Sequence, residues 1–157
     1  MSTNLAKTLK SEKIHGLNLK RPLIVRPGTT LEMLIEQMDL LTVGAALIQE
    51  GGRPIGIVTE KDILAKVVEP GLDLKTPVER VMTRDPRGLS LNDSVADAIR
   101  LMNRGGYRHL PLVDQNGKIQ GILSVRSVIR YLAEHFPCEV LNLPPDPHQV
   151  QRTREGA

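Results

Sequence analysis

The sequence predicts an α+β fold in which two β-α-β-β-α repeats pack sheet against sheet. Three observations predict it. "GIVTEKDIL" (Gly56–Leu64) returns as "GILSVRSVI" (Gly121–Ile129), 65 positions later. "TLEMLIEQM" (Thr30–Met38) returns as "SVADAIRLM" (Ser94–Met102) at an offset of 64. Each unit of about sixty residues is also too small to bury much apolar surface alone, so the two must share one body.

The elements follow in order. "PLIV" (Pro22–Val25) is a short apolar stretch and reads as an edge strand. Thr30 stands where an N-cap hydroxyl belongs, and Leu31, Leu34, Ile35 and Met38 then recur at helical spacing. "GAALIQ", the turn "EGG" and "RPIGIVT" form an apolar hairpin that runs into a helix over Glu60 to Val68. "EPGLDLKT" carries Pro70 and Gly71, which argue against a continuous helix and mark a linker.

The second unit repeats the pattern. "RGLS" (Arg87–Ser90) reads as an edge strand, and Ser94 caps a helix whose stripe is Val95, Ala98, Ile99 and Met102. "RHLPLVD" and "KIQGILS" flank a turn one residue longer than its counterpart, which moves the offset from 64 to 65. A helix over Val125 to Glu134 closes the unit. The repeats therefore span 14–68 and 78–134. Residues 135–157, with Pro137, Pro144, Pro145 and Pro147, read as an extended, then disordered tail.

Composition narrows the function. The net charge of +3 and pI of about 9.2 are mildly basic, and the only aromatics are Tyr107, Tyr131 and Phe136. Stacking platforms for nucleic acid are nearly absent, which argues against that partner. Cys138 is the single cysteine, so no internal disulfide forms, in keeping with a reducing cytoplasm. No stretch approaches the ~20 apolar residues of a membrane span. His135 and Cys138 lack a second pair to complete a metal site, and no nucleophile–base–orienter set points to an enzyme.

The order of elements in both halves, with "LPLVD", "GIVTEKD" and "GILSVRS", resembles the CBS-domain pair, or Bateman module, from about residue 14 to 135. The resemblance implies a pseudo-twofold sandwich that binds adenosine-type ligands between its halves and does regulatory rather than catalytic work. It also implies pairing into a homodimer through the helices.

Thr59 and Asp62 carry two readings. Locally they are a capping box, the hydroxyl closing the helix and the acid three places on returning a hydrogen bond. In the family the same spacing holds a ribose, because an ionised carboxylate can accept from two adjacent hydroxyls. The second copy keeps the hydroxyl as Ser124 but replaces the acid by Ser127. A neutral serine forfeits roughly 1.5–3 kcal/mol of charged hydrogen bonding, about ten- to a hundredfold in affinity.

In family members the site whose ribose is held by one motif receives basic side chains from the other half. That rule gives Arg108, His109 and Arg126 to the phosphate of a nucleotide anchored by Thr59 and Asp62. The residues aligned with Arg108 and His109 are Gly44 and Ala45, so the mirror site lacks both handles. By family analogy alone, Ile57, Val58, Pro86 and Arg87 contact adenine.

The expectation is a regulatory sensor with one competent site, signalling by shape change to an unknown protein partner. AMP is the first choice of ligand, then ADP or ATP, with NAD and S-adenosylmethionine within the family's range. The alternatives are a ligand-free dimerisation scaffold with vestigial pockets, and a basic nucleic-acid binder.

Overall fold

The computed structural model describes residues 3–136. The tail beyond Phe136, with Cys138, lies outside the described residues. Thr3–Ser11 forms helix α1, Leu23–Val25 strand β1, Leu31–Leu41 helix α2, Ala45–Glu50 strand β2 and Arg53–Thr59 strand β3. Glu60–Asp62 begins helix α3, which continues over Ile63–Val68 as a π-helical stretch. Thr83–Arg84 is strand β4, Val95–Gly105 helix α4, His109–Val113 strand β5, Ile119–Ser124 strand β6 and Val125–His135 helix α5. The mixed α+β architecture agrees with the sequence.

Local chemistry sets the boundaries. The Thr30 hydroxyl accepts from Met33 N–H at 3.2 Å, and the Ser94 hydroxyl accepts from Asp97 N–H at 3.0 Å. Gly51 and Gly52 take φ of 61° and 80°, the positive values a two-residue hairpin turn requires. The longer turn of the second hairpin is pinned by Asp114 Oδ1, which accepts from Asn116 and Lys118 N–H at 2.8 and 2.9 Å.

The first sheet runs β1-β2-β3-β4, with β1 parallel to β2 and the other pairs antiparallel. The second sheet is the β5-β6 hairpin. The edge strand expected at "RGLS" is reduced to one parallel bridge, Leu89 to Leu112. Leu89 N–H donates to Pro111 O at 3.0 Å, and Val113 N–H to Leu89 O at 2.9 Å. The ladder stops there because Pro111 has no N–H for the next bond; the aligned residue of the first half is Leu47, and there β1 pairs over three residues.

The two halves exchange their leading segments. Ile14 N–H donates to Asp93 O at 3.0 Å and Val95 N–H to Glu12 O at 2.9 Å, so the chain before the first repeat pairs with the second. In the mirror arrangement, Val78 N–H donates to Thr29 O at 2.8 Å and Leu31 N–H to Thr76 O at 2.9 Å. The cores follow suit. Leu5, Leu9, Ile14 and Leu17 pack with Val95, Leu110, Leu123 and Val128, whereas Val78, Val81 and Met82 pack with Leu31, Leu34, Ile48 and Val58. A third cluster, Ala45, Leu47 and Ile57 against Ile119 and Ile122, joins the sheets. Helix α1, which sequence periodicity did not announce, is the main addition to the expected fold.

Candidate functional site

The repeat brings the end of β3 and the start of β5 to one place. Thr59 pairs with Ala45 across the β2-β3 ladder, and His109 pairs with Ser124 across β5-β6. Glu60 N–H donates to Gly44 O at 3.0 Å, matched in the other half by Val125 N–H to Arg108 O at 2.9 Å. These junctions face each other across the interface, so His109 of the second half reaches Gly44 of the first. A Cβ added to Gly44 would stand 3.3 Å from both Cε1 and Nε2 of the imidazole.

Thr59 and Asp62 form the capping box. Asp62 Oδ2 accepts from Thr59 N–H at 2.9 Å and from its hydroxyl at 3.0 Å, while Thr59 Oγ1 accepts from Asp62 N–H at 3.3 Å. Asp62 Oδ1 is paired with Lys66 Nζ at 3.1 Å. Each carboxylate oxygen has about two acceptor directions. Oδ2 is therefore full, while Oδ1 and Thr59 Oγ1 keep one apiece. Two acceptors from two side chains remain for a pair of vicinal hydroxyls.

In the second copy Ser124 Oγ and Ser127 Oγ lie 3.1 Å apart, and Ser127 N–H donates to Ser124 Oγ at 3.1 Å. The cap survives there without a carboxylate. Neither serine of that pair supplies a charge.

His109 is half-buried, and its Nδ1 is fully buried with no hydrogen-bond partner. Burial lowers its pKa; the carboxylate of Glu60 acts the other way, and Arg108 adds to the lowering. The imidazole therefore favours its neutral form until an anion arrives. Arg108 and Arg126 are exposed, Arg108 next to His109 and Arg126 in the first turn of α5.

The remaining candidates separate. Ile57 faces the cluster between the sheets, whereas Val58 is fully buried in the first-half core. Successive strand residues point to opposite faces, so Val58 can offer a ligand only its backbone. Pro86 and Arg87 lie between β4 and the Leu89–Leu112 bridge to β5. Thr83 pairs with Ile57, and Asp85 N–H donates to Ile55 O at 3.1 Å, so the chain runs back along β3. Asp85 thus lies four residues, roughly 13 Å, from the Thr59 end. Val81 is linked to the anchor through Lys66, whose Nζ donates to its carbonyl at 3.1 Å.

Sequence reasoning passed over Lys66 and Glu60, and read Gly44 only as a missing handle of the mirror site. Lys66 could have been found from its i,i+4 spacing to Asp62. Glu60 and Gly44 matter only through a neighbour in the other half. An open groove of about 660 Å³ lies along α4 between Arg87, Arg100, Arg104 and Tyr107. Among the described residues no cluster of three metal-ligating side chains occurs, and no helix is long and apolar enough to cross a membrane.

Comparison with known proteins agrees with this architecture. The family model for the CBS domain matches twice, over residues 14–69 and 78–134. The chain belongs to the CBS-domain family. An uncharacterized 17.7 kDa protein of Acidianus ambivalens is 32% identical over 123 residues, 78% of this chain and 74% of that one. A crystal structure of an uncharacterized conserved protein from Pyrococcus horikoshii superposes with a TM-score of 0.72 at 28% identity, covering 78% of this chain and 92% of the other. A CBS domain protein from Pyrobaculum aerophilum, complexed with AMP, gives a TM-score of 0.69 at 27% identity over 78% of this chain and 98% of its own. Against longer CBS domain-containing proteins of Arabidopsis thaliana, this CBS pair spans about a fifth of their length.

Proposed function

We propose that this CBS pair is a regulatory sensor of an adenosine nucleotide, with one competent site per chain. Thr59 and Asp62 hold the ribose, and His109, with Arg108 and Arg126 nearby, receives the phosphate. Ile57 and the backbone of Val58 and Val81 flank the base. AMP is the preferred ligand, ahead of ADP and ATP; NAD and S-adenosylmethionine are the remaining adenosyl compounds to test. The observation that carries this reading is the meeting of His109 with Gly44 beside the Thr59–Asp62 pair. The mirror position combines Ser127 with Ala45 and so has neither charge. The AMP complex of the similar Pyrobaculum protein supports the ligand class.

Calorimetric titration of wild type and Asp62→Ala with AMP, ATP, NAD and S-adenosylmethionine tests it. Saturable binding at one site per chain that Asp62→Ala weakens ten- to a hundredfold is expected. Equal binding by the two proteins removes Asp62 from the ribose role.

The output is a change of shape read by a partner, and a ligand can drive it only through its differential affinity for two states. Exposed apolar side chains on the first-half helices, Met33, Leu40, Leu64 and Val68, favour a homodimer as the assembly in which that change is read.

A further inference from the structure

Glu60 shares the space at Gly44 with His109, and its role rests on the nucleotide reading above. A Cβ on Gly44 would collide with Glu60 Oε1 on one side and crowd the imidazole at 3.3 Å on the other. The Glu60 side chain therefore folds back over the Gly44 α-carbon from the first half, while the imidazole approaches the same atom from the second. No direct ion pair joins them; among the described residues the ion pairs are Lys66–Asp62 and Arg100–Asp97. The bond from Glu60 N–H to Gly44 O at 3.0 Å fixes its backbone, so only side-chain rotation can withdraw the carboxylate. The equivalent residue in the second half is Val125, which brings no charge.

We propose that Glu60 is an internal stand-in for the ligand's anion. In the empty site its carboxylate fills the position beside His109 that the 5′-phosphate of a nucleotide takes, and it swings out when a nucleotide binds. The chemistry is competition between two anions for one basic pocket. Like charges repel more strongly in a half-buried cleft than in water, and a phosphate at His109 cannot tolerate Glu60 in place. The buried Nδ1 edge and the influence of Glu60 on the imidazole agree with a histidine awaiting a better counter-anion. Glu60 thus sets selectivity: it weakens phosphorylated ligands and leaves the nucleoside alone.

The test is calorimetric titration of wild type, Glu60→Gln, Glu60→Ala and Asp62→Ala with adenosine and with AMP at one pH and salt concentration. Both Glu60 variants should tighten AMP about fivefold or more, leave adenosine within about twofold, and lose part of the gain in high salt. Titration of the His109 imidazole by NMR adds a ligand-free readout, its pKa falling in Glu60→Gln relative to wild type. Unchanged or weaker AMP binding in both variants overturns the proposal, as does an equal effect on adenosine. If binding is flat in the Glu60 variants but sensitive to Asp62→Ala, this inference fails while the nucleotide site stands. If wild type binds neither compound, both fall together.

Discussion

Lys66 Nζ lies 3.1 Å from Asp62 Oδ1 and donates at the same time to the Val81 carbonyl, also at 3.1 Å. One ammonium thus ties the proposed ribose anchor to the segment leading into β4. The pair is 44% exposed at lysine and 16% at aspartate, so its Coulomb energy is largely screened and its contribution is about 0.3–1 kcal/mol. Lys66→Met should lower stability by no more than that in urea denaturation. It should also tighten AMP, because Oδ1 regains an acceptor direction. A tenfold loss of AMP affinity would mean instead that Lys66 touches the ligand.

The two equivalent glycines of the repeat offer an internally controlled test of packing. At Gly56 a Cβ would meet Met82 Cγ at 2.8 Å and Cβ at 3.1 Å, so β4 could not keep its place. At Gly121 the nearest atom is Leu112 Cδ1 at 3.7 Å, an ordinary contact. Gly56→Ala should cost about 1–3 kcal/mol, as overpacking does, while Gly121→Ala should be close to neutral. Chemical denaturation of the two variants checks both values; equal losses would contradict the packing described.

His109 makes stability depend on pH. Burial holds its folded pKa below the ordinary 6.5, with Glu60 opposing and Arg108 reinforcing that shift. Above about pH 6.5 the imidazole is neutral in both states, and its burial carries no titration penalty. As pH falls through that value the unfolded chain takes up the proton first, so stability is lost until the folded imidazole also titrates. The urea midpoint of wild type should therefore fall between about pH 7 and pH 5 by more than that of His109→Gln. Parallel curves would sink the assignment. A bound phosphate favours the charged imidazole, so AMP should bind more tightly at the acid end of this range.

Helix α1 is predicted to be structural. Leu9 is 5% exposed and packs in the core of the second half. Leu9→Ala should cost about 2–5 kcal/mol, although it lies outside both repeats. A loss under 1 kcal/mol by denaturant titration would show that α1 is merely laid on the surface.

Most of the framework was legible because the sequence states it twice. The helical stripes, the caps at Thr30 and Ser94, and the Gly51-Gly52 turn are local signals, and the structure realises each one. The one-bridge edge at Leu89 was obscured because its limit is set by Pro111, more than twenty residues away. Helix α1 escaped notice because its buried stripe is only Leu5 and Leu9, one i,i+4 pair. Thr59 and Asp62 were visible as a local motif, and His109 through the asymmetry of the copies. Glu60 was invisible because its significance comes from an imidazole 49 positions on, reached across the interface.

The exchange of leading segments makes the molecule an interlock. A protease nick at exposed Gly71 would sever the polypeptide without releasing either piece. The upstream fragment would leave Leu5, Leu9 and Ile14 embedded in its neighbour, and the downstream one would leave Val78 and Val81 embedded in return. The sequence repeats are accordingly not independent folding units: neither can be excised at its own borders and keep its core, and both should melt in a single transition.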